Sequence, residues 1–435
     1  MMARNPANTQ RHAPTDWATP AMQARVKARY RGEGLFRLAG LGALCLAGLF
    51  LAFMLFTIVR TGWTGFQHSE VRVTVAFDAA ALGIDPAAAR GSAGVEAIRR
   101  GDFNALMQRS AAAQLGPAAD VVSEGAWLDL RAAVLADPAV LGQVRSLWVP
   151  VRSSIDLLAK GKFDVTEPEV SRGVSDEDIA DYRYLQARGL IRTDFNEIFV
   201  TAANSTDPEL AGIWGAALGS LLTLVVTITV AFPVGVLAAV WLEEFAGRSR
   251  WTDFIEVSIS NLAAVPSIIF GLLGLAVFLN FFNMPRSAPL VGGLTLALMT
   301  LPVIVITARA AIRAVPGSVR DAALGIGASP IQVVFHHVMP QALPGILTGT
   351  IIGMARALGE TAPLLLIGMR AFVADTPHGL ASSATVLPVQ IFLWSDDAQR
   401  GFVEKTSAAI IVLLVILLLL SSVAIYLRNR FETRA

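Results

Sequence analysis

The sequence predicts an all-α polytopic membrane protein of six transmembrane helices, with a mixed α/β extracytoplasmic insert between the first two. Three observations predict it. Of 435 residues, 54% are hydrophobic and only 16% are charged, whereas an ordinary soluble chain carries about 25% charged residues. The apolar residues gather into six long stretches, each meeting the roughly 20 residues a spanning helix needs. One polar interval of roughly 150 residues, the size of a single domain, separates the first stretch from the other five. A formal net charge of +1 gives no footing for nucleic-acid binding. The one cysteine, Cys45, lies inside the first apolar stretch, so no intrachain disulfide can form and the insert depends on its own core.

The first stretch runs from Leu35 to Val59 and includes LAGLGALCLAGLFLAFMLFTIV. It is too long, and begins too deep in the chain, for a cleaved signal peptide, so a retained helix is expected. The others are Ile213–Leu242, Phe254–Phe282, Pro289–Ile312, Pro344–Gly368 and Ser407–Leu427. Internal prolines at 233, 266, 302 and 363 are tolerated when neighbouring helices re-satisfy the freed carbonyls, which implies a packed bundle. The divisions are thus a tail at 1–34, the first helix at 35–60, the insert at 61–212 and a five-helix core at 213–435.

Lysine and arginine placement sets the orientation. Arg25, Lys27, Arg29 and Arg31 precede the first helix; Arg248 and Arg250 join the second to the third. Arg313 and Arg320 join the fourth to the fifth, and Arg428, Arg430 and Arg434 follow the sixth. With six spans these segments share one side, which puts both termini in the cytoplasm. The opposite short loop, NFFNMPRSAP, holds only Arg286; the fifth-to-sixth loop, with Arg370, Arg400 and Lys405, fits less cleanly.

In the insert, Val71, Val73, Val75 and Phe77 alternate with other side chains, as in a half-buried strand. GVEAIRRGDFNALMQRSAAAQL and AWLDLRAAVLADPAVLGQV read as helical. No metal-ligand spacing or catalytic constellation stands out, and no cofactor is expected. His68, near the membrane end, reads as a surface residue.

The connection at 313–344 is more informative. Ser318–Leu324 makes a short helix and Gly325 and Gly327 permit a turn. Ser329 and Pro330 cap a second helix, with Ile331, Val334, Phe335 and Val338 on one face and Pro340 and Pro344 ending it. Such a face could dock in a partner's groove or lie along the membrane surface. The adjacent His336 and His337 point about 100° apart and are poorly placed to share a metal.

In RALGETAPLLLIGM, two charges stand in an apolar stretch. Arg356 and Glu360 are four apart, within reach on one helix face. Ionisable residues in a membrane face the bundle interior or a watery path. The pair is either a structural lock on helix register or an anion site, in which the arginine fork takes an oxyanion and Glu360 holds it and aids release.

Two resemblances sharpen this. Asp321, Ala322, Ala323, Gly327 and Pro340 follow the EAA loop of ABC importer permeases, with Asp321 for the usual glutamate, His337 for an aliphatic residue and Met339 for leucine. In that family the loop docks on the ATPase. ARALGETAPLL, WLEEFAG, NLAAVPSIIFGLLGLAVF, PGILTGTIIG and DPELAGIWGA are similar to the PstA-like permease subunit of the ABC-type phosphate importer, over the chain from about Asp207 onward. The insert looks like the extra domain of a subset of these subunits. The resemblance implies a type I ABC importer permease fold, Arg356 and Glu360 on the translocation path, and Asp321, Ala322, Ala323 and Gly327 in ATPase coupling. It also implies a second permease subunit, an ATPase dimer and an extracytoplasmic phosphate-binding protein as partners, in the lipid bilayer of the cell inner membrane. ITARAAIRAVP departs from the family: Arg309 stands where an acid is usual.

No G-x-x-x-x-G-K-[ST] loop is present, since AKGKF lacks the first glycine and the hydroxyl, so ATP chemistry is expected on another polypeptide and this chain is expected to be no enzyme. Sulfate-type permeases tend to continue Gly-Glu differently, which weighs against a sulfate or molybdate permease. A membrane-anchored sensor has no use for a docking loop between spans.

Overall fold

A computed structural model describes residues 19–85, 94–247 and 249–431; Arg248 and Arg434, counted above for orientation, lie outside them. Of the described residues, those up to Ile58 form one unit and those from Val59 onward another. In the first, helix α1 (Pro20–Gly62) presents Leu44, Phe50 and Phe53 fully outward, and its apolar stretch is exposed on every side, as suits a helix whose neighbours are lipid or another chain.

The insert is built on a three-stranded antiparallel sheet in the order β2-β1-β3, from β1 (Gln67–Ala76), β2 (Val144–Pro150) and β3 (Ile191–Phe195). Central β1 pairs Val73 with Leu147 and Glu70 with Arg192. Val71, Val73, Val75 and Phe77 are fully buried, as their alternation predicts. They pack on helices α2 (Gly94–Arg99), α3 (Phe103–Leu115), α4 (Trp127–Ala136) and α5 (Ser153–Ala159) through Ile98, Phe103, Leu115, Leu130, Val134 and Ile155. Asp102 divides the first predicted helical stretch in two: its carboxylate accepts the Ala105 N–H at 3.0 Å and starts α3. Helix α6 (Asp176–Ala187) starts on Ser175 with acids in its first turn, where the helix dipole favours them.

His68 is a correction. It is only 5% exposed, and its Nε2 lies 3.0 Å from Glu70 Oε1, on the β1 face that also meets Arg192 of β3. Nearby, burial pushes Asp129 up to about 6, with the Glu70 carboxylate adding to the rise. The folded chain therefore holds this proton more tightly than the unfolded one, so ionised Asp129 costs stability above about pH 6, and the cost fades as pH falls toward 4. Asp129→Asn is expected to raise stability by roughly 2–3 kcal/mol near pH 8 and to change little near pH 4. Thermal unfolding of the purified chain at both pH values checks this; equal shifts would refute it.

Beyond the insert come α7 (Trp214–Val240), α8 (Arg250–Ala263), α9 (Ser267–Gly274), α10 (Pro289–Arg313), α11 (Gly317–Gly325), α12 (Pro330–Gly359), α13 (Leu387–Ser395) and α14 (Gly401–Phe431). Among the described residues, five helices are long and apolar enough to span a membrane, or six if the bent pair α8–α9 counts as one. Helices α7, α10 and α12 share a core of Ala231, Ala239, Ile304, Ala308 and Ile346. Close approach is possible because Gly293 faces Val226 and Gly349 faces Thr307, where a Cβ would collide.

Two predicted spans differ. Phe254–Phe282 is not one rod: α8 and α9 meet at 101°. Pro266 takes φ −56°, ψ 138° and caps the next helix; proline also drives its predecessor out of the helical region. Nor do Pro340 and Pro344 end the loop helix. It runs unbroken from Pro330 to Gly359, because a wide turn over Val333–Val338, where Met339 N–H reaches Val334 O, accommodates Pro340.

The insert is fastened to α14. Lys160 Nζ donates to Asp156 Oδ2 at 2.6 Å and to Glu404 Oε1 at 2.5 Å, and Asp156 Oδ1 accepts Ser69 N–H at 2.7 Å. These side chains are 2%, 9% and 4% exposed for Lys160, Asp156 and Glu404. Lys405, counted above as a loop charge, is a buried residue of α14, its ammonium 5.1 Å from the Phe199 ring.

Candidate functional site

The α12 helix has a buried side, with Ile346, Gly349, Thr350, Gly353, Ala357 and Leu358, and an exposed side, with Gly345, Ile352 and Arg356. Arg356 is half exposed, and its Nε lies 3.5 Å from Glu360 Oε1. The two do not share a helix face as their spacing predicts: the helix stops at Gly359 and Glu360 is extended, with ψ 131°. The carboxylate reaches back past the helix end, so the pairing is loose. Behind it the open space is small or apolar: beside Leu358 a cavity of about 230 Å³ is lined by Trp214, Ala217, Leu221 and Ile416. Ala357 and Leu358 help wall a void of about 10 Å³ with Ser220 and Thr223, room for about one water. An anion meeting Arg356 must come from the exposed side.

At the other end of α12 lies the loop. Gly327 takes φ +89°, a left-handed conformation that glycine adopts without strain. Ser329 and Gln332 form a reciprocal capping box, stronger than the cap predicted from Ser329 alone. Asp321, Ala322 and Gly327 are exposed while Ala323 is buried. The predicted apolar face divides: Val334 and Val338 turn inward with Val333, whereas Ile331 and Phe335 stay exposed, joined by Leu324 and Ile326. The wide turn rotates these positions off ordinary helical spacing. His336 and His337 sit on that turn, His336 exposed and His337 half-buried.

Sequence reasoning missed the ionic framework at the root of the loop. Arg309 Nε donates to Glu243 Oε1 at 2.7 Å, and its Nη2 to Glu256 at 3.0 Å. Arg313 also donates to Glu243 at 2.7 Å. Arg320 donates to Glu244 at 2.6 Å and to the Val315 and Ile312 carbonyls; this pairing raises its already high pKa. Arg309 thus ties α10 to the end of α7 and to the middle of α8. The signal was present: two acids closing an apolar stretch in WLEEF, and Arg309 and Arg313 one turn apart.

Residues 231–435 match the family described as binding-protein-dependent transport system inner membrane component, and residues 23–169 match a domain of unknown function. The chain is 32% identical over 215 residues to the probable ABC transporter permease protein YqgI of Bacillus subtilis, covering 49% of this chain and 70% of that protein. It is 32% identical over 201 residues to the phosphate transport system permease protein PstA 1 of Mycobacterium tuberculosis, covering 46% of this chain and 64% of that protein, somewhat less than two thirds of its length. An inward-facing structure of the MetNI methionine ABC transporter is similar at a TM-score of 0.39 and 17% identity, over 51% of this chain and 95% of that one.

Proposed function

Since the chain belongs to the family of binding-protein-dependent transport system inner membrane components, the permeases of ABC transporters, and is thus a multi-pass inner-membrane protein, we propose that it is the permease subunit of an ATP-driven inorganic phosphate importer. Likeness to a relative named for phosphate transport supports the substrate. The observation that carries the mechanism is Arg356: a cation on the exposed side of an apolar helix, loosely held by Glu360. Facing lipid it would be costly. A second permease subunit packed on this side of α12 covers it and leaves a polar path between the chains, where the guanidinium meets phosphate by paired hydrogen bonds. Glu360 competes for the same guanidinium and speeds release inward.

Residues 1–34 and the C-terminus lie in the cytoplasm, 35–60 form the first span, 61–212 lie outside, and 213–435 form the transport core. A phosphate-binding protein delivers cargo from outside. The loop at 313–344 docks on an ATPase dimer through Asp321, Ala322, Ala323 and Gly327, with Leu324, Ile326, Ile331 and Phe335 as apolar anchors. Uptake of labelled phosphate in cells lacking the chain, with and without its return, tests the reading: rescue that excess sulfate does not inhibit supports it, and no rescue, or inhibition by sulfate, refutes it.

Ile331→Asp places a charge on the docking surface without touching the core. Uptake is expected to fall roughly tenfold or more, as when an interface anchor is lost, and the ATPase to co-purify poorly. Normal uptake and co-purification would remove Ile331 from the contact.

A further inference from the structure

Where the insert meets α14, a cavity of about 310 Å³ is lined by Thr61, Leu157, Lys162, Phe163, Arg400, Val403 and Glu404. Three of these come from the insert and three from α14 or its approach. Leu157, Phe163 and Val403 make an apolar wall. Lys162 and Arg400 supply two cations on the exposed rim. The Lys162 side chain makes no hydrogen bond or ion pair among the described residues, while its backbone N–H donates to Leu157 O at 2.9 Å. Arg400 spends one N–H on the Arg172 carbonyl at 3.1 Å, with its Cζ 5.8 Å from the Phe163 ring, and has donors to spare.

Glu404, the one carboxylate in the lining, already has Oε1 on Lys160 at 2.5 Å. The cavity therefore presents two rim cations over an apolar wall, with one lining carboxylate that is engaged by Lys160.

Sequence fixes its depth. Thr61 follows the first apolar stretch by two residues, and Val403 precedes the last by four, so the cavity lies at the bilayer surface. A free anion has no use for the apolar wall, and an apolar partner has none for the cations. A membrane lipid with an anionic headgroup uses both.

We propose that this cavity binds an anionic phospholipid, the phosphodiester meeting Lys162 and Arg400 and the glycerol and first methylenes lying on Leu157, Phe163 and Val403. The lipid joins the insert to α14 from the membrane side, beside the buried Lys160 link.

The test is native mass spectrometry of the full-length chain released from mixed phosphatidylglycerol and phosphatidylcholine nanodiscs. Wild type should retain phosphatidylglycerol over phosphatidylcholine by at least about fivefold, since each basic residue near the surface contributes about that factor. Lys162→Ala should lower retention about fivefold with unchanged circular dichroism, as the Lys162 side chain holds nothing else. Val403→Trp, which fills the cavity from an exposed position, should lower it as well. Equal retention of the two lipids, or phosphatidylglycerol retention indifferent to both substitutions, overturns the proposal. Displacement of the lipid by millimolar inorganic phosphate also overturns it, and makes the cavity a free-anion site.

Discussion

Alanine at Arg356 is expected to lower phosphate uptake roughly tenfold to a hundredfold, with the chain inserted in the membrane at wild-type levels. Hydrogen bonds to a charged group contribute about 1.5–3 kcal/mol, which is that range in rate or affinity. Folding should be spared, because Arg356 is half exposed and its one partner, Glu360, lies 3.5 Å away beyond the helix end. Arg356→Lys keeps the charge and loses the planar fork, so an intermediate loss is expected. Glu360→Gln frees the guanidinium and should lower KM and turnover together. Initial uptake rates, normalised to chain in the membrane, decide. Wild-type rates in Arg356→Ala would leave the pair a lock on local structure and move the anion path elsewhere.

Lys160→Met is expected to destabilise the chain by about 3–5 kcal/mol, the usual result of removing one partner from a buried ionic set. Asp156 and Glu404 would face each other in a site only a few per cent exposed. The Lys405 ammonium makes no hydrogen bond among the described residues and lies over Phe199, so neither acid has it as a hydrogen-bond partner. The Ser69 N–H on Asp156 holds β1 to the same point, so loosening should spread into the sheet. Lower thermal stability, with faster proteolysis of the insert, is the expected readout. Lys160→Arg should recover part of the loss. An unchanged melting temperature would mean that water or another group already neutralises the acids.

What the sequence made legible follows from the range of the forces involved. The Val71–Phe77 alternation reports burial directly and marked the central strand, and the apolar stretches marked the long helices, except for the break at Pro266 and the end at Gly359. Asp102, Ser175 and Ser329 act within three residues, so caps are readable in principle. Long-range pairing is not. Glu243 meets Arg309 66 residues away, Lys160 meets Glu404 244 residues away, and nothing local tells a paired charge from a solvated one. His68 was misjudged for the same reason: its cover comes from elsewhere in the fold. Prolines divided by surroundings. Pro233 and Pro302 stay inside helices, whereas Pro266 breaks one. Arg356 and Glu360 were found as a pair, but the helix end between them was not, because a stop at Gly359 needs no proline.

The uninterrupted course of α12 has a mechanical meaning. Its 30 residues make a rod of about 45 Å at 1.5 Å per residue, with the capping box of Ser329 at one tip and Arg356 one turn from the other. The wide turn at Val333–Val338 and Pro344 both lie within it without ending it. Under the proposed mechanism, a tilt imposed at the Ser329 tip moves Arg356 with the helix. Glu360 is the first non-helical residue after the rod. The cation thus rides on the lever, while the carboxylate lies just beyond its end.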